Sequence, residues 1–444
     1  MYVEHLSLVD FRCYRSVEVA MLPGVNLFIG QNGQGKTNLV EAVEYLSTLS
    51  SHRVSNDAPL VRAGADQAVT RARVRASRDD TRSLLLELEI NPGRANRARI
   101  NKGPQPRARD LLGVLRTVVF SPEDLAIVKG DPSDRRRFID TVVVTRWPRM
   151  AGVKADYDRI LKQRNHLLKQ LAHRGARAQD EDAMFTLEVF DDQLSQVGAE
   201  LLLARLDTLT ELMPHTTLAY ADIAPTNNTV AATYRTSIDL APEVDGEPLT
   251  RDDLRARLKA AMVARRQDEL VRGVSLVGPH RDEIVLAIGD LPAKGYASHG
   301  ECWSLALSLK LGAFHLVRDD GIEPVLILDD VFAELDTTRR DRLAGAILQA
   351  EQVLITAAVG ADVPEKLTGR RFLVADRQVR IDGADPSPDD PDASTDGLDA
   401  STANRATGTD ELSTTGVDNS GTTRTGQAPP GASAVTSSAA GVAP

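Results

Sequence analysis

A glycine-rich stretch near the N-terminus, GQNGQGKT at residues 30 to 37, has residue types and spacing suited to phosphate chemistry. It fits the pattern G-x-x-x-x-G-K-[ST], in which glycines let the backbone curl until several amide groups point at phosphate oxygens. Lys36 then supplies a mobile positive charge, and the Thr37 hydroxyl is a ligand for Mg²⁺. The stretch predicts a nucleoside triphosphate site made by Gly30, Gln31, Asn32, Gly33, Gln34, Gly35, Lys36 and Thr37.

A second stretch, PVLILDDVFAELD at residues 324 to 336, places two carboxylates directly after four apolar residues. Such a run predicts a buried strand, and Asp329 at its end would hold a carboxylate beside Mg²⁺, as in phosphate-loop ATPases. Asp330, the next residue, would polarise the attacking water as general base. A core strand that merely ends in a solvated turn is the alternative, and the phosphate loop in the same chain weakens it.

A third stretch, ASHGECWSLALSLKLGAFHLV at residues 297 to 317, predicts a helix with one apolar face. Ser298 would cap this helix, and the exposed N-terminus of the helix would be a second anion site. Taken alone, the stretch is better explained as a plain capped helix.

The elements around these stretches indicate an α/β fold. Strand, glycine loop and helix follow one another over residues 1 to 48, which is the context that a phosphate loop requires. Residues 69 to 120 have the alternating and apolar runs typical of strands. Residues 151 to 215 have two apolar stripes at helical spacing with a polar break between them, which predicts an antiparallel helical hairpin.

We therefore expect four segments. Residues 1–125 form the N-terminal part of the head with a β-rich subdomain, residues 126–270 a helical arm, residues 271–380 the C-terminal part of the head, and residues 381–444 a tail. The tail is rich in Asp, Ser, Thr, Gly, Ala and Pro, so it cannot bury enough apolar surface to offset the entropy of ordering, and disorder is predicted. It carries −8 of the net charge of −10, which leaves the rest of the chain nearly neutral.

The bulk composition is that of an ordinary globular protein, with 42% hydrophobic and 26% charged residues in 444. No apolar run reaches the roughly 18 residues that a membrane-spanning helix needs. The N-terminus lacks a signal pattern, and the two cysteines, Cys13 and Cys302, suggest neither a disulfide framework nor a metal cluster. We expect a cytoplasmic protein with no membrane partner.

The second and third stretches together resemble the signature motif, Walker B strand and D-loop of the ABC-type ATPase superfamily. The resemblance rests on S-x-G-[EQ] at a helix start, on the strand that ends in aspartate, and on E-L-D ending at Asp336. It implies that two ATP molecules lie between two heads in an ATP-dependent, head-to-tail homodimer. Ser298 and Gly300 of one copy would contact the γ-phosphate held by Lys36 of the other. Asp336 would lie at the interface.

Within this superfamily, the spacing of the motifs resembles that of the RecF family. The stretch between the phosphate loop and the signature holds one short helical hairpin, whereas an SMC-like protein would have a far longer run of heptads there. Motifs similar to that family follow in order, among them HLSLVDFRCYRSVEV, SPEDLAIVKGDPSDRRRFID, SLVGPHRDEI and LILDDVFAELD. The resemblance implies an ATP-dependent DNA-binding protein of recombinational gap repair, with roles in DNA replication, DNA repair and the SOS response.

Basic runs supply positive charge for DNA, but no motif that reads bases is present. Residues 93 to 109 carry six Lys or Arg and no acid, and shorter runs lie at 135 to 137 and 263 to 266. Positive charge with few aromatic residues predicts sequence-independent, salt-sensitive contacts with duplex or gapped DNA. A solvated charged loop is the alternative for 93 to 109. The family resemblance adds RecR and RecO as partners and, indirectly, the loading of RecA.

Two departures from the transporter pattern bear on the rate of hydrolysis. The signature continues ECWS, and Thr356 stands where transporters use a histidine to sense the γ-phosphate. A site with Asp330 as base and one polarising group fewer predicts slow turnover, so we expect a weak, DNA-stimulated ATPase that acts as a switch. The alternatives are another ABC-type ATPase (an SMC-like clamp or a transporter nucleotide-binding subunit) and a DNA-binding scaffold with an inactive ATP site.

Overall fold

The computed structural model describes residues 1–174, 181–224, 229–241 and 248–382. Its strands, in chain order, are β1 (Tyr2–Phe11), β2 (Tyr14–Ala20), β3 (Gly24–Ile29), β4 (Ala68–Arg75), β5 (Ser83–Ile90), β6 (Arg97–Ile100), β7 (Gly103–Gln105), β8 (Thr117–Phe120), β9 (Val230–Arg235), β10 (Glu283–Ile288), β11 (Leu291–Pro292), β12 (Val325–Asp329), β13 (Gln352–Ala357), β14 (Gly369–Ala375) and β15 (Gln378–Ile381). Its α-helices are α1 (Lys36–Thr48), α2 (Leu125–Lys129), α3 (Pro132–Arg146), α4 (Met150–Arg174), α5 (Glu181–Ile223), α6 (Arg251–Arg272), α7 (Ala293–Tyr296), α8 (His299–Asp319) and α9 (Thr337–Ile347).

The tail that the sequence predicts to be disordered lies, from residue 383 onward, outside the described residues. Ile381, which we assigned to the tail, still belongs to β15, where it pairs with Phe372. Among the described residues, no helix is both long enough and apolar enough to cross a lipid bilayer.

A six-stranded sheet in the order β15-β14-β3-β13-β12-β8 forms the centre of the head. All neighbouring strands in it are parallel except the β14–β15 pair. Strands β12 and β13 are buried along their whole length, which is why both read as continuous apolar runs. Because β3, β13 and β12 lie side by side and run in the same direction, their carboxyl ends meet at one edge of the sheet. The glycine loop follows β3 at this edge, and Asp329 ends β12 beside Thr356 of β13.

Helix α1 lies between this sheet and a second, antiparallel sheet in the order β2-β1-β4-β5-β6-β7. Leu39, Val43 and Leu46 of α1 share one apolar core with residues of both sheets, such as Leu88 of β5 and Phe28 of β3. The opposite face of the parallel sheet packs against α8 and α9. The phosphate-loop helix is therefore held on two sides, which fixes the position of its N-terminus.

Helices α4 and α5 form the predicted antiparallel hairpin, and the polar break between them falls partly outside the described residues. Arg164 of α4 donates to Asp191 of α5, whereas Tyr157, earlier in α4, contacts Gly198, later in α5. Helix α6 packs against both helices and shares their apolar core. A small sheet in the order β11-β10-β9 lies beside α3 and α8.

Candidate nucleotide site

The glycine loop connects the end of β3 to the start of α1. Glycine is required at Gly30, where a Cβ would lie 2.1 Å from the Val374 carbonyl oxygen, and at two further positions. Gly33 and Gly35 have φ values of 83° and 107°, in the left-handed region that other residues rarely adopt. A Cβ on Gly35 would also lie 2.7 Å from the Tyr14 hydroxyl. Gly35 is the N-cap of α1, so no side chain caps the first amide groups of this helix. Uncapped amides at a helix N-terminus are the groups that bind phosphate.

Lys36 reaches back across the loop that precedes it. Its ammonium group donates to the carbonyl oxygens of Gly30, at 2.6 Å, and Gln31, at 3.1 Å, and to the side chain of Asn32 at 3.4 Å. Burial lowers the pKa of Lys36, and the charges of Asp330 and Asp329 act in the opposite direction. The positive charge is therefore held over the loop, between its carbonyl groups and the two carboxylates after β12.

Asp329 is joined to the phosphate loop by a direct contact. The Thr37 hydroxyl donates to Asp329 at 2.9 Å, and the Thr356 hydroxyl donates to the same carboxylate oxygen at 2.6 Å. The Asp329 carboxylate is only 6% exposed. Although burial raises its pKa, the contacts with His52 and with the two hydroxyls outweigh that effect and lower the pKa of Asp329 below its usual value. Asp329 is therefore ionised.

The Thr37 hydroxyl and the Asp329 carboxylate fit a magnesium ion. Both are oxygen ligands, and Mg²⁺ in nucleotide sites usually takes one or two protein oxygens and completes its shell with water and phosphate. Among the described residues, no group of three or more His, Cys, Asp or Glu could hold a metal ion by itself. The chain is therefore suited to an ion that is shared with a phosphate.

His52 was not identified from the sequence as a partner of Asp329. Its Nδ1 lies 2.6 Å from Glu44 of α1, and its Nε2 lies 3.6 Å from Asp329, too long for a hydrogen bond but close enough for an ion pair. Burial lowers the pKa of His52, but the two carboxylates outweigh this effect and raise it to about 10. A buried imidazolium therefore links α1 to the end of β12.

Thr356 fixes both aspartates at the end of β12. Its hydroxyl donates to Asp329 and accepts the backbone amide of Asp330 at 2.9 Å. Asp330 has a φ of 57°, a left-handed conformation that is strained for a residue with a side chain. Burial raises the pKa of Asp330, Lys36 lowers it, and the nearby Asp329 adds to the upward shift. A carboxylate whose pKa is raised toward neutrality is a better general base.

The signature stretch lies at the start of α8, as predicted. The Ser298 hydroxyl accepts the amide of Glu301 at 3.3 Å, and the Glu301 carboxylate accepts the amide of Ser298 at 2.8 Å. This reciprocal pair is a capping box. Ser298 is exposed, so the cap faces outward from the head.

Arg339 connects the signature stretch to the D-loop. Its side chain donates to Ser304 of α8 at 3.0 Å and pairs with Asp336, whose carboxylate caps α9 by accepting the Arg339 amide. A Cβ on Gly300 would lie 2.9 Å from the Arg339 guanidinium. Gly300 is not in the left-handed region. It is therefore the guanidinium, and not the local backbone conformation, that leaves no room for a side chain there.

The predicted site residues thus form two groups. Lys36, Thr37, Asp329 and Asp330 lie together at the carboxyl edge of the parallel sheet, and Ser298, Gly300 and Asp336 lie together around Arg339. Among the described residues, no hydrogen bond or ion pair joins a member of one group to a member of the other.

The basic runs that we considered for DNA are only partly neutralised by acids of the same chain: among the described residues, Arg94 and Lys102 are exposed and form no ion pair. Arg97 and Arg99 of β6 pair with Glu87 and Glu89 of the neighbouring strand β5. In the run at 135 to 137, Arg135 pairs with Glu283 and Arg137 with Asp134, whereas Arg136 donates to the backbone carbonyl of Asp282. Within 263 to 266, both arginines pair with acids of the arm.

Comparison with known proteins agrees with this geometry. Residues 2–366 match the family model described as RecF/RecN/SMC N terminal domain. The DNA replication and repair protein RecF of Cutibacterium acnes is 64% identical over 386 residues, which cover 85% of this chain and 98% of that relative.

Two solved structures have the same fold. The recombination mediator protein RecF-ATPrS in RecFOR pathway superposes with a TM-score of 0.76 at 29% identity, and covers 86% of this chain and 98% of its own. The RecF-ATP structure of the same pathway has a TM-score of 0.74 at 28% identity, with coverage of 86% and 99%. The predicted α/β fold, an ABC-type head with a β-rich subdomain and a helical arm, is confirmed. The chain belongs to the RecF family.

Proposed function

We propose that this chain is an ATP-dependent DNA-binding protein of replication and recombinational repair, in which ATP acts as a switch. The observation that carries the proposal is the contact of 2.9 Å between Thr37 and Asp329, which joins the phosphate loop to the end of β12. This pair of oxygen ligands is what a phosphate-loop ATPase requires for Mg²⁺. The solved RecF structures named for ATP and its analogue support ATP as the nucleotide.

The roles of the residues follow from their positions. The amides of the loop from Gly30 to Gly35 bind the phosphates, Lys36 neutralises charge on them, and Thr37 and Asp329 hold the metal. Bound Mg²⁺ would supply charge neutralisation at the phosphates. Asp330, whose pKa is raised by burial, accepts a proton from the attacking water. Because Thr356 is engaged with both aspartates, it offers no further polarising group, and turnover is expected well below the value of about 10 per second typical of enzymes.

A second copy of the chain completes the site. Ser298 and Gly300 would contact the nucleotide held by the partner copy, and Asp336 would lie between the two heads. The outward-facing cap at Ser298 supports this arrangement, because an exposed helix N-terminus attracts anions. ATP binding therefore draws two heads together, and hydrolysis releases them.

DNA is the substrate on which the dimer acts. The relative from Cutibacterium acnes is named for DNA replication and repair, and the solved structures are named as recombination mediators. By this kinship, duplex or gapped DNA, RecR, RecO and indirectly RecA are the partners, and the cytoplasm is the location. We also propose the four segments given above as the division of the chain. The high identity to RecF relatives favours this function over a transporter subunit or an SMC-like clamp.

The test is sedimentation and duplex-DNA binding, each with and without ATP, on the wild type and on Lys36→Ala. We expect ATP to raise both the sedimentation coefficient and the DNA affinity of the wild type. Lys36→Ala is expected to bind ATP at least about a hundredfold more weakly and to lose both responses. Arg82→Ala, which removes a cation that is 88% exposed, is the control and should respond like the wild type. If neither ATP nor Lys36→Ala changes dimerisation or DNA affinity, the proposal that ATP acts as a switch is wrong.

A further inference from the structure

One face of α4 carries more positive charge than the helix's own acids balance, because Asp158, the acid on that face, pairs with Lys154. From Arg159 to His173 the sequence contains no Asp or Glu. Lys162, His166, Lys169 and His173 are all exposed. At 3.6 residues per turn, these four positions fall on one stripe, opposite the buried positions of α4. Those buried positions are Tyr157, Ile160, Arg164, Leu168 and Leu171.

The acids of the neighbouring helices are already paired on the inner side of the arm. Asp191 of α5 and Glu269 of α6 bind the buried Arg164 at 2.7 and 2.6 Å, and Asp191 also pairs with Arg266. Asp192 of α5 pairs with two cations of α6, each at 3.0 Å. These carboxylates are therefore not available to the outer face of α4.

The end of α6 adds a third cation to the stripe. Gly273 caps α6 with a φ of 67°, and a Cβ there would lie 3.3 Å from the Cα of Lys169. Arg272, the residue before it, is exposed. Among the described residues, Lys162, Lys169 and Arg272 form no ion pair. We call these three residues, together with His166 and His173, the arm patch.

The lysines and the arginine of the arm patch differ from Arg97 and Arg99 of β6 in their pairing. The arginines at 97 and 99 share Glu87 and Glu89, so a phosphate would have to compete with carboxylates that are already in place. Among the described residues, Lys162, Lys169 and Arg272 form no ion pair, so a phosphate would bind them without displacing a carboxylate. Tyr157, the only aromatic residue of α4, is buried, which leaves no surface for base stacking.

We propose that the arm patch binds the phosphate backbone of duplex DNA. This proposal rests on the proposed function and identifies the surface that would bind DNA. Lys162 and Lys169 lie seven residues apart on the helix, which corresponds to about 10 Å along its axis. This distance spans about three phosphates of one DNA strand, whose axial spacing is about 3.4 Å. The contact carries no sequence information, because it involves charge alone.

The test measures duplex affinity with ATP over a range of salt concentrations. Lys162→Gln/Lys169→Gln removes two exposed charges. We expect the slope of log affinity against log salt to become shallower by about 2, and affinity at low salt to fall on the order of tenfold or more. Lys162→Arg/Lys169→Arg keeps the charge and should bind like the wild type. The control, Arg97→Gln/Arg99→Gln, removes two arginines that are already paired and should leave the slope unchanged.

Each alternative result is informative. A Gln double variant with the slope of the wild type would overturn the arm patch as a DNA surface and leave the proposed function standing, with an acidic protein as the more fitting partner. Equal losses in the Gln and Arg variants would show that charge is not the cause, and would also overturn it. A wild-type chain that dimerises with ATP but binds no duplex would overturn the proposed function and this proposal together.

Discussion

The two halves of the candidate site are built in opposite ways. Around Asp329, two hydroxyls and an imidazolium contact one carboxylate in a mostly buried cluster that joins α1, β12 and β13. Around Gly300, one arginine holds the signature helix to the D-loop, and Ser298 faces solvent. The first half is part of the buried core, whereas the second lies at the protein surface.

This difference predicts which substitutions should destabilise the single chain and which should affect only the association of two copies. A change in the Asp329 cluster removes the partner of a buried charge, so it should affect the stability of the single chain. A change around Gly300 should leave most of the fold intact and act mainly when two copies meet. The following variants test that division in order of expected effect.

The largest effect is expected for Asp329→Asn. The substitution keeps the shape of the side chain but removes one of the two carboxylates beside the buried imidazolium of His52. Removing one partner of a buried charge pair usually costs about 3 kcal/mol, so we expect a loss of that order in the free energy of unfolding. Urea denaturation without nucleotide measures it. Asp330→Asn, the matched control, removes a carboxylate that no ion pair engages, and should cost much less.

The loss should also depend on pH. The pKa of His52 is raised from 6.5 in the unfolded chain to about 10 in the folded chain, so folding binds a proton between these values. The stability that the imidazolium contributes is therefore fully present below pH 6.5 and disappears as pH rises through about 10. Equal losses for Asp329→Asn at pH 6 and pH 10 would contradict this assignment.

An intermediate effect is expected for Gly300→Ala. The added methyl group would displace the Arg339 guanidinium from Ser304 and Asp336, at a cost of about 1 to 2 kcal/mol in unfolding free energy. In an Arg339→Ala background the same substitution should stabilise the chain by up to about 1 kcal/mol, because the space is then open and alanine has a higher helix propensity than glycine. A double-mutant cycle in urea without nucleotide measures the coupling. If Gly300→Ala is equally costly in both backgrounds, Arg339 is not the reason for the glycine.

The smallest effect on the single chain is expected for Ser298→Ala. Loss of the cap of α8 should cost about 1 kcal/mol or less, since the capping position is exposed. ATP binding by the single chain should be unchanged, whereas ATP-dependent dimerisation should weaken. Ser298→Thr keeps the hydroxyl cap and serves as the matched control. Weakened ATP binding by the monomeric variant would show that the two halves are not separate.

The motifs themselves were predictable from the sequence because each is local. The glycine loop, the strand that ends in Asp329 and the capped helix α8 are each defined by neighbouring residues, and each was found as predicted. The role of Thr356 was not predictable, because its contacts with Asp329 depend on the order of β12 and β13 in the sheet. The pairing of the basic strand β6 likewise depends on the register that sets Arg99 opposite Glu87. The contacts of His52 with Asp329 and of Arg339 with Ser304 were not predictable either, because they join residues that are far apart in the sequence.

The position of β3 in the central sheet has a consequence for the synthesis of this protein. Both neighbours of β3, β13 and β14, come from the far end of the described chain. From Ile29 to Gln352 the ribosome must add roughly 320 residues, which takes roughly 16 to 65 seconds at about 5 to 20 residues per second. During this interval the phosphate-loop strand has emerged but has no partner on either side. The growing chain therefore cannot build its nucleotide site until β13 and β14 have been translated.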